Sequence, residues 1–329
     1  MKLLFLFLSM FWLLEAKALS RTQVIMSTFV TISADNKNSD IINNGFLIMK
    51  NVEMSLSSYN PDAKIFLLNK DLHVNLDKYS YEALLLSKKY YNETDGYFDI
   101  TIGSITKDLY RFGLDERIAT KQELKDAKTG IRALRFDEKE AFIDKGIKVD
   151  LGGMGKGFGV DKVAEFFRKK NIKDATIAAS GDIRCLSTCK VEVQNPFAED
   201  DYLLSFETIK DDLGISTSGN YNRYVISTKN NHLIDPKTKK PQTKFISITL
   251  IGDISSSDLD AYATASSVMP LKKAYGFLDK IGVAYIILQS DKKLVISDNI
   301  SKYAKNLVKH DTVKNQPTCI EYKNQEEKK

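Results

Sequence analysis

The stretch Lys148-Val-Asp-Leu-Gly-Gly-Met-Gly-Lys-Gly-Phe-Gly-Val-Asp161 carries the strongest structural signal in this chain. Apolar residues at 147–151 predict the end of a buried strand, the glycines predict a tight turn, and residues 159–170 predict a helix. Glycine lets a backbone approach a ligand closely, and Lys156 adds a cation where a helix N-terminus offers unpaired N–H groups. This combination suits a diphosphate, but a tight strand-to-helix turn with a surface lysine has the same pattern. The stretch matches neither the Walker loop nor the G-x-G-x-x-G fingerprint.

The composition is that of a globular protein with a full core. The chain has 329 residues, of which 43% are hydrophobic and 10% aromatic, and it shows no internal repeat. Its formal net charge is +5, from 48 basic and 43 acidic residues. The lysines are scattered rather than gathered in one patch, so no nucleic-acid partner is expected.

The N-terminus has the pattern of a secretory signal peptide. Lys2 precedes an apolar run at residues 3–14, and Ala16-Lys17-Ala18 forms a small-residue cleavage site. The run is shorter than the roughly 20 residues of a membrane-spanning helix, although an uncleaved anchor is the alternative. We therefore predict a signal peptide at 1–18, a catalytic domain at 19–313 and a polar tail at 314–329. The expected location is the periplasm, with association with the inner membrane as a second option.

Hydrophobic periodicity predicts an α/β (α+β) chain with mixed, largely antiparallel sheets and packed helices, and no Pro/Gly linker divides it into separate units. Hairpin signals occur between several of the predicted strands, for example around Asp144-Lys-Gly. The main predicted helices are residues 40–59, 79–92, 120–128, 159–170, 257–269 and 271–281. The predicted strands are residues 22–33, 141–151, 175–186, 190–194, 204–209, 214–218, 224–227, 246–252, 284–289 and 294–297.

Three cysteines are present, at Cys185, Cys189 and Cys319. An exported protein meets an oxidising environment. A hairpin turn between Cys185 and Cys189 would bring the pair to disulfide distance, whereas one straight strand would keep the two residues apart. A zinc site is not expected, because two sulfurs without a nearby histidine do not complete one.

Asp260 and Thr264 are candidate metal ligands. They stand four residues apart in a predicted helix, so their oxygens share one face. A carboxylate and a hydroxyl are hard ligands that suit Mg²⁺, which takes few protein ligands. The alternative is a helix N-terminal acid and a buried threonine. His232 is a candidate proton carrier, although a lone histidine is more often an ordinary surface residue.

Two further segments have both a functional and a structural interpretation. Tyr97 and Phe98 follow a Gly turn, where aromatic faces can stack on a flat heterocycle or enter the core. Ser216-Thr-Ser-Gly-Asn-Tyr221 is rich in hydroxyls and can cradle phosphate or form a plain turn. No Gly-x-Ser-x-Gly elbow occurs, so the sequence does not support an acyl-transfer triad.

The order of these motifs resembles that of the ApbE-like FAD:protein FMN transferases, which are flavin transferases of bacterial envelopes. The resemblance covers nearly the whole chain after the signal segment, and implies an ApbE/T-fold-like catalytic unit. It rests on Met26-Ser-Thr, Tyr59-Asn-Pro, Gly96-Tyr-Phe-Asp-Ile-Thr, Asp150 to Asp161, Ser180-Gly-Asp, Thr217-Ser-Gly-Asn-Tyr, His232-Leu-Ile-Asp-Pro and Asp260-Ala-Tyr-Ala-Thr264.

The resemblance implies Mg²⁺-dependent transfer of FMN from FAD to a Thr or Ser hydroxyl of an acceptor protein, with release of AMP. The acceptor would be an exported or membrane redox subunit with an Asp-x-x-Thr/Ser-Gly-Ala type of site. The metal would be held by Gly153, Asp260 and Thr264, and His232, Asp235 and Lys156 would be catalytic, with Asp235 orienting His232. The residues implied to contact FAD are Met26, Tyr59, Tyr97, Phe98, Asp99, Asp150, Lys156 and Ile234.

Three positions depart from the family pattern. Ser27 and Ser180 stand where glycines are usual, and Lys239 stands where glycine follows Asp-Pro-x-Thr. None of the three removes a proposed metal or phosphate contact. Lys239 adds charge at a turn near the expected site, where we expect it to alter acceptor docking or loosen the turn. The alternatives are an FAD diphosphatase, in which water replaces the acceptor, and a periplasmic flavin-binding protein without turnover.

Overall fold

We describe the fold from a computed structural model, which covers residues 18–198, 200–310 and the backbone of 320–322. The predicted signal peptide falls almost entirely outside these residues, as does Cys319. The helices in the described part of the chain are α1 Ser39–Leu56, α2 Lys64–Asp71, α3 Lys78–Glu93, α4 Gly103–Thr106, α5 Lys121–Asp126, α6 Gly155–Lys169, α7 Ser256–Val268 and α8 Leu271–Ile281.

The strands are shorter and more numerous than the helices. They are β1 Ala18–Ile25, β2 Thr28–Asp35, β3 His73–Asn75, β4 Leu134–Phe136, β5 Glu140–Ile143, β6 Ala175–Ala179, β7 Asp182–Cys185, β8 Lys190–Gln194, β9 Tyr202–Thr208, β10 Leu213–Gly219, β11 Ile234–Asp235, β12 Lys240–Pro241, β13 Phe245–Gly252, β14 Ala284–Gln289, β15 Leu294–Ile296, β16 Ala304–Lys309 and β17 Ile320–Tyr322.

One large sheet organises the molecule. Its strand order within the described residues is β1-β2-β6-β7-β10-β13-β14-β15-β17, and its pairs are antiparallel except for β15 with β17. Smaller sheets have the orders β16-β9-β8 and β3-β5-β4, and β11 pairs with β12. The mixed, largely antiparallel fold class predicted from the sequence is therefore confirmed.

Apolar layers cover both faces of the large sheet. Helices α1 and α6 pack on β2 and β6 through residues such as Phe46 and Val163. On the opposite face, Val191 and Phe206 of the β16-β9-β8 sheet share a buried cluster with Ile215 of β10. A further cluster joins the helices to β13 and β14. The large sheet is thus the middle layer of the fold.

Local signals explain where several helices begin and end. Asp77 accepts hydrogen bonds from the backbone of Tyr79 and Ser80 and caps α3. Ser255 accepts from the backbone of Asp258 and caps α7. Helix α8 ends at Gly282, whose φ of +78° lies in the left-handed region.

Three strand predictions are corrected by the structure. The predicted strand at 175–186 is the antiparallel pair β6 and β7, which is joined by a turn at Ser180 and Gly181. The predicted strand at 22–33 is a hairpin, because Met26 and Ser27 turn the chain with φ of 56° and 57°. The predicted strand at 224–227 is a loop with a single bridge from Tyr224 to Asn231. The residues with positive φ at the turns near 26 and 226 are Met26, Ser27 and Ile226, which are not types that favour the left-handed region, so their identities do not indicate a turn.

The predicted hairpin around Asp144-Lys-Gly is also wrong. Strand β5 pairs instead with β4 and β3, and residues 147–151 run on as an extended segment towards α6. Cys185 and Cys189 form a disulfide, with their Cα atoms 6.0 Å apart. Within the predicted polar tail, Ile320–Tyr322 forms strand β17.

None of the helices in the described residues is long and apolar enough to cross a membrane.

Candidate active site

The glycine-rich stretch serves helix packing. Helix α6 begins at Gly155, four residues before the predicted start, so Lys156 lies in its first turn. A Cβ on Gly157 would lie 2.3 Å from the carbonyl oxygen of Ser256, and a Cβ on Gly159 would lie 2.8 Å from the sulfur of Met49. Tertiary packing therefore requires glycine here and overrides the low helix propensity of glycine.

Asp161 ties α6 to the N-terminus of α7. Its carboxylate accepts hydrogen bonds from the backbone N–H groups of Ser256 and Ser257, each at 2.8 Å. Burial raises the pKa of Asp161 against the effect of these hydrogen bonds. This contact fixes α7 relative to α6, and with it the distance between the functional side chains of the two helices.

Lys156 lies between two buried carboxylates. Its Nζ is 3.0 Å from Oδ2 of Asp182 and 3.4 Å from Oδ2 of Asp260. The backbone N–H of Gly157 also donates to Asp260, at 3.1 Å. Burial alone would lower the pKa of Lys156, but the two carboxylates outweigh it and raise that pKa. Burial and the charge of Asp182 raise the pKa of Asp260.

The oxygen atoms around Asp260 suit a hard divalent cation. The i, i+4 spacing places Thr264 on the same face of α7, where its Oγ1 is 3.3 Å from the hydroxyl of Ser218. A Cβ on Gly153 would lie 2.9 Å from Cγ2 of Thr264, so glycine keeps this approach open. No group of three His, Cys, Asp or Glu side chains able to hold a metal occurs in the described residues. A cation would therefore rely on few protein ligands, as Mg²⁺ does.

A second cluster surrounds Tyr59 and Asp150. Nζ of Lys107 lies 3.2 Å from the centroid of the Tyr59 ring and 3.4 Å from Oδ2 of Asp150. Lys107 is buried, and its Nζ makes no hydrogen bond within the described residues. Burial alone would raise the pKa of Asp150, but Lys107 and hydrogen bonds from Thr106 and Gly152 lower it.

His232 is held by the backbone of Arg223. The carbonyl oxygen of Arg223 accepts from the backbone N–H of His232 at 3.2 Å and lies 3.1 Å from its Nδ1. A carbonyl only accepts, so Nδ1 carries the proton and Nε2 is the basic nitrogen. The guanidinium of Arg223 donates to the hydroxyl of Tyr59 and to the carbonyl of Phe112.

The charge state of His232 follows from these neighbours. Burial, together with the charges of Arg223 and Lys156, lowers its pKa to about 4, against smaller raising effects from the Arg223 carbonyl and Asp150. The ring is therefore neutral near pH 7. The ring of His232 lies 6.4 Å from that of Phe112, whose carbonyl binds Arg223, so His232 adjoins the Tyr59 cluster. The glycine-rich turn from Asp150 to Lys156 connects that cluster to the Lys156 cluster, and the two form one site.

The predicted pairing of Asp235 with His232 is corrected. The carboxylate of Asp235 accepts from the backbone N–H of Lys237 at 2.8 Å and from the hydroxyl of Thr238 at 3.0 Å. It therefore stabilises the turn after β11, and the carbonyl of Arg223 takes the orienting role. Asp235 was predicted because it lies three residues from His232 in the sequence. Side chains three residues apart in an extended segment point to opposite faces, so the carboxylate does not face the ring.

The remaining residues predicted to contact a ligand come from separate segments of the chain. Met26 lies in the β1–β2 turn, its Cε 3.4 Å from where a Cβ on Gly155 would be. Phe98 lies beside Gly153, and the Tyr97 ring has Lys237 and Lys273 within 5.5 Å of its centroid. The carboxylate of Asp99 accepts from the backbone and hydroxyl of Thr101, and burial raises its pKa. Ile234 is buried in a cluster that includes Phe112.

Three residues of the site were not predicted from the sequence. Asp182 belongs to the Ser180-Gly-Asp motif, and Arg223 follows Tyr221-Asn, so motif position could have pointed to both. Lys107 is one of many scattered lysines and had no local signal. Its position depends on the packing of α4 beside Tyr59.

Comparison with known proteins shows the family to which the chain belongs. The sequence model of the ApbE family matches residues 26–287, so the chain belongs to the ApbE family. A protein of Haemophilus influenzae named FAD:protein FMN transferase is 28% identical over 276 residues, which are 75% of this chain and 78% of that protein. A second relative with the same name, from Vibrio cholerae, is 27% identical over 239 residues, which are 68% of this chain and 71% of that protein.

Solved structures share the fold. The ApbE protein of Thermotoga maritima has a TM-score of 0.80 at 22% identity, covering 88% of this chain and all of that one. The flavin transferase ApbE from Vibrio cholerae has a TM-score of 0.74 at 21% identity, covering 88% of this chain and 99% of that one.

Proposed function

We propose that this protein is an Mg²⁺-dependent FAD:protein FMN transferase. It cleaves the diphosphate of FAD, attaches FMN to a Thr or Ser hydroxyl of an acceptor protein and releases AMP. The observation that carries the proposal is the meeting of two groups in one site. These are the cation-suited oxygens around Lys156 and a neutral His232 with a basic Nε2. Membership of the ApbE family gives this chemistry its substrate class.

Mg²⁺ would be held by Asp260, Thr264 and the carbonyl of Gly153, and when bound it would supply positive charge to the diphosphate oxygens. Lys156 binds the same diphosphate and offsets the charge that accumulates during transfer. The acceptor hydroxyl attacks the phosphorus of the FMN half, and its proton passes to Nε2 of His232. The bond from that phosphorus to the bridging oxygen breaks, and AMP leaves with this oxygen.

The other predicted contacts hold the substrate in place. Tyr59 and Tyr97 offer aromatic faces for flat rings. The buried ammonium of Lys107 contacts Asp150 and Tyr59 without a hydrogen bond, and it would donate one to an anionic or carbonyl oxygen. We further propose that the protein is exported to the periplasm, where the acceptor is an exported or membrane redox subunit. The disulfide between Cys185 and Cys189 supports an oxidising location.

The test is intact-mass spectrometry of a carrier protein that displays the segment Asp-Ala-Val-Thr-Gly-Ala. Incubation with the enzyme, FAD and Mg²⁺ should add one FMN to the carrier threonine, and EDTA or Asp260→Asn should abolish the addition. Asp258→Asn is the matched control, since Asp258 lies on the same helix but pairs with Lys89 at 3.0 Å. Release of FMN and AMP with an unmodified carrier would refute the transferase and identify an FAD diphosphatase. Recovery of unreacted FAD would instead identify a flavin-binding protein without turnover.

A further inference from the structure

A groove of about 290 Å³ lies behind the proposed active site, between β8 and the large sheet. Its floor is one face of β7 and β10, formed by Ile183, Ile215 and Thr217. Ser216 and Ser218, at the alternate positions of β10, point to the other face, towards Asp182 and Thr264. The groove and the active site therefore occupy opposite faces of the same strands.

The wall of the groove is the free edge of β8. The four consecutive residues 191–194 all line it. Neighbouring residues of a strand point to opposite faces, so a groove lined by every residue runs along the edge of the strand. In the described part of the chain, β8 pairs only with β9, and no strand covers its other edge.

Backbone hydrogen-bonding groups of β8 point into the groove. The carbonyl of Cys189 accepts from Thr208 and the N–H of Asn195 donates to Asp201, so the odd-numbered positions face β9. In an antiparallel pair the alternate positions face away. The N–H and C=O groups of Glu192 and Gln194 are therefore directed at the groove.

One end of the groove reaches the active site. Ser180 and Gly181 line it directly before Asp182, which pairs with Lys156. Tyr221 and Asn222 line it directly before Arg223, whose carbonyl holds His232. An extended segment leaving the groove at this end would pass over the β6–β7 turn towards the diphosphate.

We propose that this groove, which we call the β8-edge groove, binds the acceptor polypeptide as an added β-strand. The proposal rests on the proposed function, since only a transferase requires a polypeptide to reach the bound diphosphate. Main-chain hydrogen bonds to Glu192 and Gln194 would supply affinity, and alternate side chains would meet the sheet face or solvent. A segment bound in this way is extended, and its Thr or Ser hydroxyl lies beyond the β6–β7 turn, towards the diphosphate.

The decisive variant is Glu192→Pro, which removes one N–H that faces the groove. Proline is tolerated on an edge strand where its missing N–H faces outward, so pairing with β9 is kept. The KM for the carrier displaying Asp-Ala-Val-Thr-Gly-Ala should rise about tenfold, the effect of one lost main-chain hydrogen bond. FAD affinity should not change. Lys190→Pro alters the same edge outside the groove and should behave as wild type.

Amide hydrogen exchange of the wild-type enzyme gives a second, independent measurement. An unreactive carrier with valine in place of the acceptor threonine should protect the amides of Glu192 and Gln194. A carrier KM for Glu192→Pro equal to that of wild type, or unprotected β8 amides with bound carrier, would overturn the groove while leaving the transferase intact. A wild-type enzyme that leaves every carrier unmodified would overturn both proposals together.

Discussion

Replacing Lys156 by methionine should destabilise the protein strongly when no divalent metal is present. The ammonium lies 3.0 Å and 3.4 Å from the carboxylates of Asp182 and Asp260, whose side chains are 0% and 3% exposed. Removing the cation leaves two buried carboxylates close together. Breaking a buried ion pair costs about 3–5 kcal/mol of unfolding free energy, and we expect a loss of this size at pH 8 in EDTA.

Lys162→Met is the matched control on the same helix. Lys162 also contacts two carboxylates, Glu82 at 2.6 Å and Glu165 at 2.9 Å, but these are 44% and 45% exposed. Solvent screens such pairs, and their loss should cost less than about 1 kcal/mol. The two variants therefore remove the same group from two carboxylates that are buried in one case and exposed in the other.

The pH dependence separates a charge effect from a packing effect. Without Lys156, one of the two carboxyls has a pKa raised well above its value in the unfolded chain, so the folded state binds the extra proton. Stability then rises as the pH falls between these two pKa values, by up to about 1.4 kcal/mol per pH unit. The deficit of Lys156→Met should accordingly be smaller at pH 5 than at pH 8.

The assay is urea unfolding followed by far-ultraviolet circular dichroism. Fluorescence of tryptophan is unsuitable, because the chain has one tryptophan and it lies at Trp12, within the predicted signal peptide. Equal losses in Lys156→Met and Lys162→Met, or a deficit that does not change with pH, would refute the reasoning.

Three further outcomes are expected. At saturating Mg²⁺, which would hold Asp260 ionised despite its raised pKa, transfer should stay constant above pH 6 and fall on the acid side with an apparent pKa near 4. The reason is that His232 works as a neutral base and burial lowers its pKa to about 4; an acid limb near pH 6.5 in a pH–rate profile would contradict this. Gly157→Ala should lower the unfolding free energy by about 1–3 kcal/mol through overlap with α7, whereas Gly276→Ala, with nothing within 4 Å, should raise it by about 0.5–1 kcal/mol. Replacing Cys185 and Cys189 by alanine should lower the urea stability by about 2 kcal/mol without weakening FAD binding, as measured by flavin fluorescence.

Local patterns in the sequence predicted the parts of the site that lie within single elements. The spacing of Asp260 and Thr264 placed both on one face of a helix, and the structure confirms the helix. The glycine-rich stretch was recognised, but the start of α6 was misplaced, because the close approach of α7 to Gly157 is a tertiary contact. Local periodicity contains no information about that approach.

Contacts between distant segments could not be predicted in this way. Lys107 meets Tyr59, and Arg223 meets Tyr59 and Phe112, only after α4 and the loop before β11 have packed together. The role assigned to Asp235 failed for the same reason, since the group that orients His232 is a backbone carbonyl. Every residue type has a backbone carbonyl, so the residue types in the sequence do not indicate which carbonyl binds the ring.

The strand order of the large sheet determines when each strand can meet its partner during synthesis. Strand β2 pairs with β6, which lies far along the chain. At about 5–20 residues per second, the roughly 140 residues between Asp35 and Ala175 take about 7–28 seconds to appear. During this interval the first hairpin presents an unpaired edge, with Val24 and Phe29 exposed on one side. Until β6 has emerged, the edge of β2 that it covers in the folded protein is open to pairing with another strand.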